Sequence, residues 1–296
     1  MSVPRALLLT LVVLGARGPA LAGQAKGHLF IVGGGEQSDS LVRRFVELAG
    51  GPGRARIVVI PMASGEPRET GEDKAEQLRG FGARAEVLVL SREEALDSAS
   101  TGPLADATGI WFTGGDQVPL ARILEGTPAL RALHRRYRAG AVVGGTSAGA
   151  AVMGDSMLTG NQRRPDSLGY YGDTFPVIAR ATYEVVSGLG FLPGAIVDQH
   201  FVVRERQNRL LSAILERPAS LGVGIDEGTA LEVGPAGRWC VLGRGVVLIY
   251  DARRARVREE PSGLLGGHEL RLQVLVPGEC FEPRKGRVVL PSPAAP

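Results

Sequence analysis

Short apolar runs that end in glycines or polar residues recur along the chain and set its frame. His28–Val32 runs into Gly33-Gly34-Gly35, Arg56–Ile60 stops at Pro61, and Ala85–Leu90 follows. Gly109–Phe112 opens into Thr113-Gly114-Gly115-Asp116-Gln117, and the run from Ala141 opens into Gly144-Gly145-Thr146-Ser147. Runs that are apolar on both faces mark buried parallel strands. Between them lie stretches of helical character: Ser40–Ala49, the polar Glu69–Phe81, Val118–Leu124 and Pro128–Ala139. Strand–helix–strand alternation predicts an α/β fold, a mostly parallel sheet with helices on both faces. In such a fold the ligand crevice lies beyond the carboxyl ends of the strands. The glycine-rich ends at 33–35, 113–117 and 144–149 are therefore expected to line it.

The pattern then changes. From Asn161 to Gly190 no period is sustained; this stretch holds Arg163, Arg164, Pro165, Tyr170, Tyr171, Asp173 and Pro176. It reads as a long excursion at the crevice rim, either a lid or an irregular surface loop. Two further apolar runs follow. Ala195–Val197 leads into Asp198-Gln199-His200-Phe201, where a helix is expected to begin, and Leu221–Ile225 ends in Asp226-Glu227. Beyond Glu227, the short runs Thr229–Val233, Trp239–Leu242 and Val246–Tyr250 are separated by glycine-containing turns and predict antiparallel strands near the C-terminus. Residues 23–285 are expected to form one α/β domain, with 286–296 a loosely held tail.

Composition changes this picture little. At 44% hydrophobic and 22% charged, the chain is of ordinary globular make-up. The net charge of +3 rests on scattered arginines, Lys26, Lys74 and Lys285 being the only lysines, and such a scatter is not a nucleic-acid footprint. The N-terminus adds more. Arg5, the apolar run Ala6–Leu14 and the small-residue site Ala20-Leu21-Ala22 form a signal-peptide pattern over residues 1–22, with cleavage near Ala22. The run is shorter than the ~20 residues a membrane span needs. Export is expected, to the periplasm or beyond the cell. Cys240 and Cys280 lie in no C-x-x-C pattern, which argues against zinc or redox chemistry; the sequence leaves both a disulfide and two free thiols open.

Gly145-Thr146-Ser147-Ala148-Gly149 has the G-x-S-x-G spacing of a serine on a sharp strand-to-helix turn. In a chain with 42 glycines that spacing alone is weak, so a base and an orienting acid are needed. Of four histidines, His28 starts a strand, His134 lies beside Arg135 and Arg136, and His268 sits in a late polar turn. His200 alone stands where an apolar run ends and a helix is expected, a place whose dipole would keep the imidazole neutral. For the acid, Asp226 and Glu227 alternate, so one faces His200 and the other does not. The order serine, histidine, acid differs from the serine, acid, histidine of α/β-hydrolases. The amides of Gly114, Gly115 and Ala148 are candidates for an oxyanion hole, and Asp116 and Gln117 for the pocket, with Asp116 also a helix N-cap. Arg204, Arg206 and Arg209, expected on the helix after His200, are candidates for gripping a substrate carboxylate. Gly33-Gly34-Gly35 lacks the last glycine of G-x-G-x-x-G, so it reads as a tight turn rather than a dinucleotide site.

Together the stretches IVGGGE, PMASGEP, FTGGDQ, GGTSAGAAVM, GLGFLPGAIVDQHF, RERQNRL and GVGIDEGTAL, in order from Leu29 to Leu231, resemble the cyanophycinase family of serine peptidases, which is grouped with aspartyl dipeptidase E. The stretches DQHF and FTGGDQ favour the cyanophycinase branch. The resemblance implies a glutamine amidotransferase-like fold with Ser147 as nucleophile, His200 as base and Glu227 as third member. It implies substrate contacts from Gln117, Asp198, Gln199 and the arginines after His200. The implied reaction is hydrolysis of cyanophycin, a poly-aspartate carrying arginine in isopeptide linkage, to β-Asp-Arg dipeptides. No metal or cofactor is implied, and homodimers are common among such enzymes. Alternatives are an isoaspartyl or aspartyl dipeptidase acting on small peptides, and a non-catalytic binding protein of the same fold.

Overall fold

A computed structural model describes residues 27–162 and 177–291; the expected signal peptide and Arg163–Pro176 lie outside the described residues. The first half alternates β1 (Leu29–Val32), α1 (Asp39–Leu48), β2 (Arg56–Ile60), α2 (Pro67–Gly80), β3 (Arg84–Val87), α3 (Arg92–Leu96), β4 (Gly109–Phe112), α4 (Gln117–Leu124), α5 (Pro128–Ala139) and β5 (Val142–Thr146). There follow α6 (Ala148–Ala151), β6 (Gly154–Gln162), β7 (Tyr183–Ser187), β8 (Leu192–Gln199), α7 (Gln207–Glu216) and β9 (Leu221–Ile225). The C-terminal strands are β10 (Thr229–Val233), β11 (Trp239–Gly243), β12 (Val247–Asp251), β13 (Arg256–Glu259), β14 (Leu265–His268), β15 (Arg271–Leu275), β16 (Cys280–Glu282) and β17 (Arg287–Val289).

The expected parallel sheet is present: β1, β5, β4, β2 and β3 run parallel. Antiparallel β10, β11, β16 and β17 extend it beyond β1, in the order β17-β16-β11-β10-β1-β5-β4-β2-β3. A second sheet, β15-β12-β9-β8-β6-β7, has parallel β6, β8 and β9 at its centre. Pleating explains how the layers meet. In β1, Phe30 and Val32 join the core beneath α1 and α2, while Leu29 and Ile31 join the core shared with α4, α5 and the second sheet. On its other face the second sheet packs Ile196, Phe201 and Tyr250 against Leu210 and Ile214 of α7.

Local chemistry delivers β5 to the crevice. Thr127 caps α5 by accepting a hydrogen bond from the Leu130 N–H at 3.1 Å, and Pro128 opens the helix with an N–H it does not need. Gly140 ends it at φ 117°, and two residues later the chain is already in β5.

Four expectations change. The strand expected to reach Leu90 ends at Val87, although the Leu88 N–H still donates to the Val59 carbonyl at 2.9 Å. Part of the stretch without period is regular: β6 and β7 pair antiparallel, with a register shift between Leu158 and Gln162. No helix begins at His200. That residue has φ 48°, which takes the chain out of the helical region, and turns occupy residues 201–206 before α7 starts at Gln207. Arg204 and Arg206 therefore precede the helix, and only Arg209 lies on it. The tail expected from residue 286 is held through Val289, because β17 pairs with β16.

Candidate active site

At the end of β5 the chain turns sharply into α6. Ser147 sits at φ 54° and ψ −112°, a conformation that costs a non-glycine residue about 1–3 kcal/mol. Its neighbours hold it there. The Ser147 N–H donates to the Val32 carbonyl at 3.1 Å and the Gly149 N–H to the Thr113 carbonyl at 3.1 Å, which pins the turn to the ends of β1 and β4. The glycine spacing is steric: a Cβ on Gly145 would lie 2.5 Å from the Gly149 carbonyl oxygen.

The second sheet supplies the other groups. β8 and β9 are parallel neighbours in register Gln199 to Ile225, so His200 and Glu227 emerge side by side just past their ends. The loop after β1 joins the sheets there. The His200 N–H donates to the Gly33 carbonyl at 2.6 Å and the Gly228 N–H to the Gly34 carbonyl at 2.9 Å. Gly34, at φ 104°, forms the bed under the imidazole, where a Cβ would come within 2.3 Å of His200 Cε1. Phe201, fully buried beside Tyr250, anchors the chain on the far side of His200.

Within this frame the side chains form a row. The Ser147 hydroxyl donates to His200 Nε2 at 2.9 Å, and His200 Nδ1–H donates to Glu227 Oε1. The carboxylate fixes the tautomer, leaving Nε2 as the acceptor. Burial lowers the His200 pKa below its ordinary value; the Glu227 hydrogen bond opposes this, and the charges of Arg204 and Arg206 reinforce it. Burial, rather than the expected helix dipole, thus keeps the imidazole neutral. A hydroxyl bonded to such an imidazole is set to lose its proton as it attacks a carbonyl. Asp226 points elsewhere: its Oδ1 accepts the Val202 and Val203 N–H groups, each at 3.1 Å, and so holds the turn after His200.

A Cβ on Gly114 would sit 3.4 Å from Ser147 Cβ, which places this glycine beside the serine. Ala148 begins α6, where N–H groups have no partner within the helix. Gly115 and Asp116 are exposed next to them, Asp116 accepting the Val118 N–H at 2.8 Å as the α4 cap. Gln199 is buried and its Oε1 accepts from Arg206 Nη1 at 2.6 Å, while Arg204 is exposed. Gln117, Asp198 and Arg209, also expected to contact substrate, likewise have partners inside the protein. Gln117 donates to the Leu158 and Thr159 carbonyls at 2.8 and 2.9 Å, tying α4 to β6. Asp198 and Arg209 form a buried ion pair, with Arg209 Nε donating to Asp198 Oδ2 at 2.7 Å, because neither charge tolerates burial alone. The positioning role of Gly33-Gly34-Gly35 is the part that sequence reasoning passed over; its signal was three successive glycines at a strand end. Among the described residues, no group of three or more His, Cys, Asp and Glu is placed to hold a metal ion.

A model of peptidase family S51 matches residues 29–236. The chain is 36% identical over 275 residues to a cyanophycinase of Synechococcus elongatus, covering 89% of this chain and 81% of that one. It is 36% identical over 277 residues to a cyanophycinase of Trichormus variabilis, covering 90% and 89%. Its fold resembles the crystal structure of a peptidase from an acI-B1 Actinobacterium, with a TM-score of 0.63, 25% identity, and 88% and 98% of the two chains covered. With its serine, imidazole and carboxylate in hydrogen-bonded sequence and most of its length matched, the chain belongs to peptidase family S51 and is a serine-type peptidase.

Proposed function

We propose that the protein is an exported hydrolase of cyanophycin that releases β-Asp-Arg dipeptides through an acyl-enzyme. The observation that carries this reading is the row Ser147–His200–Glu227 in a chain 36% identical to cyanophycinases. Ser147 Oγ attacks an aspartyl carbonyl of the polymer backbone while His200 Nε2 takes its proton, and Glu227 holds the imidazolium that results. The N–H groups of Gly114 and Ala148 meet the charge developing on the carbonyl oxygen, with Gly115 adjoining. Collapse expels the amine, which takes the proton back from His200. Water then attacks the ester, giving up a proton to the same imidazole, and Ser147 is restored. The signal-peptide pattern of residues 1–22 supports export, as does the disulfide joining Cys240 and Cys280, a bond at home in oxidising compartments.

The test incubates cyanophycin granules with the mature protein and with its Ser147→Ala variant and assays soluble β-Asp-Arg. The native protein is expected to release dipeptide, and the variant to be slower by about 10³–10⁶-fold in kcat. Failure on the polymer together with cleavage of small β-aspartyl peptides would replace this reading with a dipeptidase.

A further inference from the structure

The buried face of α2 carries Gly71, Lys74, Ala75 and Leu78, so a lysine occupies a position where the helical pattern calls for an apolar residue. The residue is 9% exposed. Nζ donates to Gln37 Oε1 and to Gln77 Oε1, each at 2.7 Å, and lies 4.2 Å from the centre of the Trp111 ring. These partners are all neutral. Among the described residues no ion pair neutralises this ammonium, and burying a charge without a counter-charge is costly. The chain meets its need for cations almost wholly with arginine, whereas a lysine presents a compact charge on a flexible stem. Lys74 also borders a cavity of about 380 Å³ whose wall includes Gly114 and Thr146. Gly114 flanks Ser147 and Thr146 precedes it, so the cavity opens beside the nucleophile.

We propose that Lys74 is a specificity-determining residue, its ammonium receiving the free carboxylate of the substrate's arginyl branch in the cavity beside Ser147. The inference rests on the cyanophycin reading above. In that polymer arginine is joined through its amine, so each branch ends in a carboxylate and a guanidinium. The carboxylate supplies the missing counter-charge at the cavity floor. Asp73, the one acidic residue of the wall, is exposed and meets the guanidinium at the mouth. A cavity of this size suits a group as large as an arginyl branch.

The test is calorimetric and requires no turnover. β-Asp-Arg, and the same dipeptide with its arginine carboxylate amidated, are titrated into mature Ser147→Ala protein with and without Lys74→Met. The Ser147→Ala protein is expected to bind the acid about tenfold or more tighter than the amide, the worth of one charge-assisted bond. Lys74→Met should erase that preference and leave amide affinity unchanged. Lys74→Gln, which keeps a polar head toward Gln37 and Gln77, serves as the second variant, with thermal melts confirming that each folds. Equal affinities for the two dipeptides, or a preference that survives both substitutions, overturns the proposal. If the native enzyme fails on granules while the acid preference holds and depends on Lys74, the polymer reading falls and the carboxylate subsite stands.

Discussion

An imidazole is a base only when neutral, and removal from water is what holds His200 in that form. Its side chain is 8% exposed, so an imidazolium there forfeits most of its hydration, and Arg204 and Arg206 add like-charge repulsion. The hydrogen bond to Glu227 pulls the other way without winning. The sign follows directly: protonation removes the acceptor at Nε2, so kcat/KM falls as pH falls. The acid limb is expected to be centred below 6.5, the ordinary histidine value, in a kcat/KM profile on a soluble β-Asp-Arg oligomer. A midpoint above 6.5 would mean that Glu227 dominates after all. Lys74 feels the same penalty, and burial pushes it down to about 7. A carboxylate arriving beside it would restore the full charge.

At the scale of elements, the end of β9 divides two carboxylates between two tasks. Glu227 holds the imidazole, and Asp226 holds residues 202 and 203 of the turn that carries it. Glu227→Gln offers the imidazole a weaker partner and is expected to lower kcat by about 10²–10⁴-fold, as an amide does in the triads of serine proteases. Asp226→Asn keeps an oxygen for the two N–H groups and should stay within a few-fold of the native rate. A reversed ranking in steady-state assays would move the orienting role to Asp226. The strands that build this site were largely legible, because β1, β4 and β9 are apolar on both faces and stop at glycine or polar residues. Other elements were not. In β6, Gly-Asp-Ser-Met-Leu-Thr-Gly-Asn-Gln shows no clean alternation, and its pairing depends on partners distant in sequence. The expected helix at His200 failed because nothing in its neighbours announces a left-handed residue there. The motif marks Gln117 and Asp198 without their partners; that Gln117 bonds to Leu158 and Asp198 to Arg209 is decided by tertiary packing.

The whole molecule keeps its site past the ends of the central strands β5, β8 and β9 and a covalent clamp elsewhere, on β11 and β16. Cys240 and Cys280 are directly opposed on β11 and β16 and linked across 40 residues of chain. They lie toward the end of β10 that is remote from Glu227. Closing a loop of that size contributes about 2–4 kcal/mol. Protein recovered outside the cytoplasm is expected to begin near Gly23 and to show no free thiol on labelling under denaturing conditions. Reduction should lower its stability by about that amount in denaturant titrations while leaving kcat unchanged. An intact N-terminus, or two reactive thiols, would count against export.

The two-sheet origin of the site also has a consequence in time. Ser147 and the strand ends that pin its turn are complete within the first 150 residues of synthesis, whereas the imidazole and its carboxylate come at 200 and 227. Until the later strands dock against Gly33 and Gly34, no imidazole stands beside the serine. A chain truncated before residue 200 is therefore expected to show no hydrolysis in the same assay. The order in which the polypeptide is made thus supplies the serine first and its hydrogen-bond partners last.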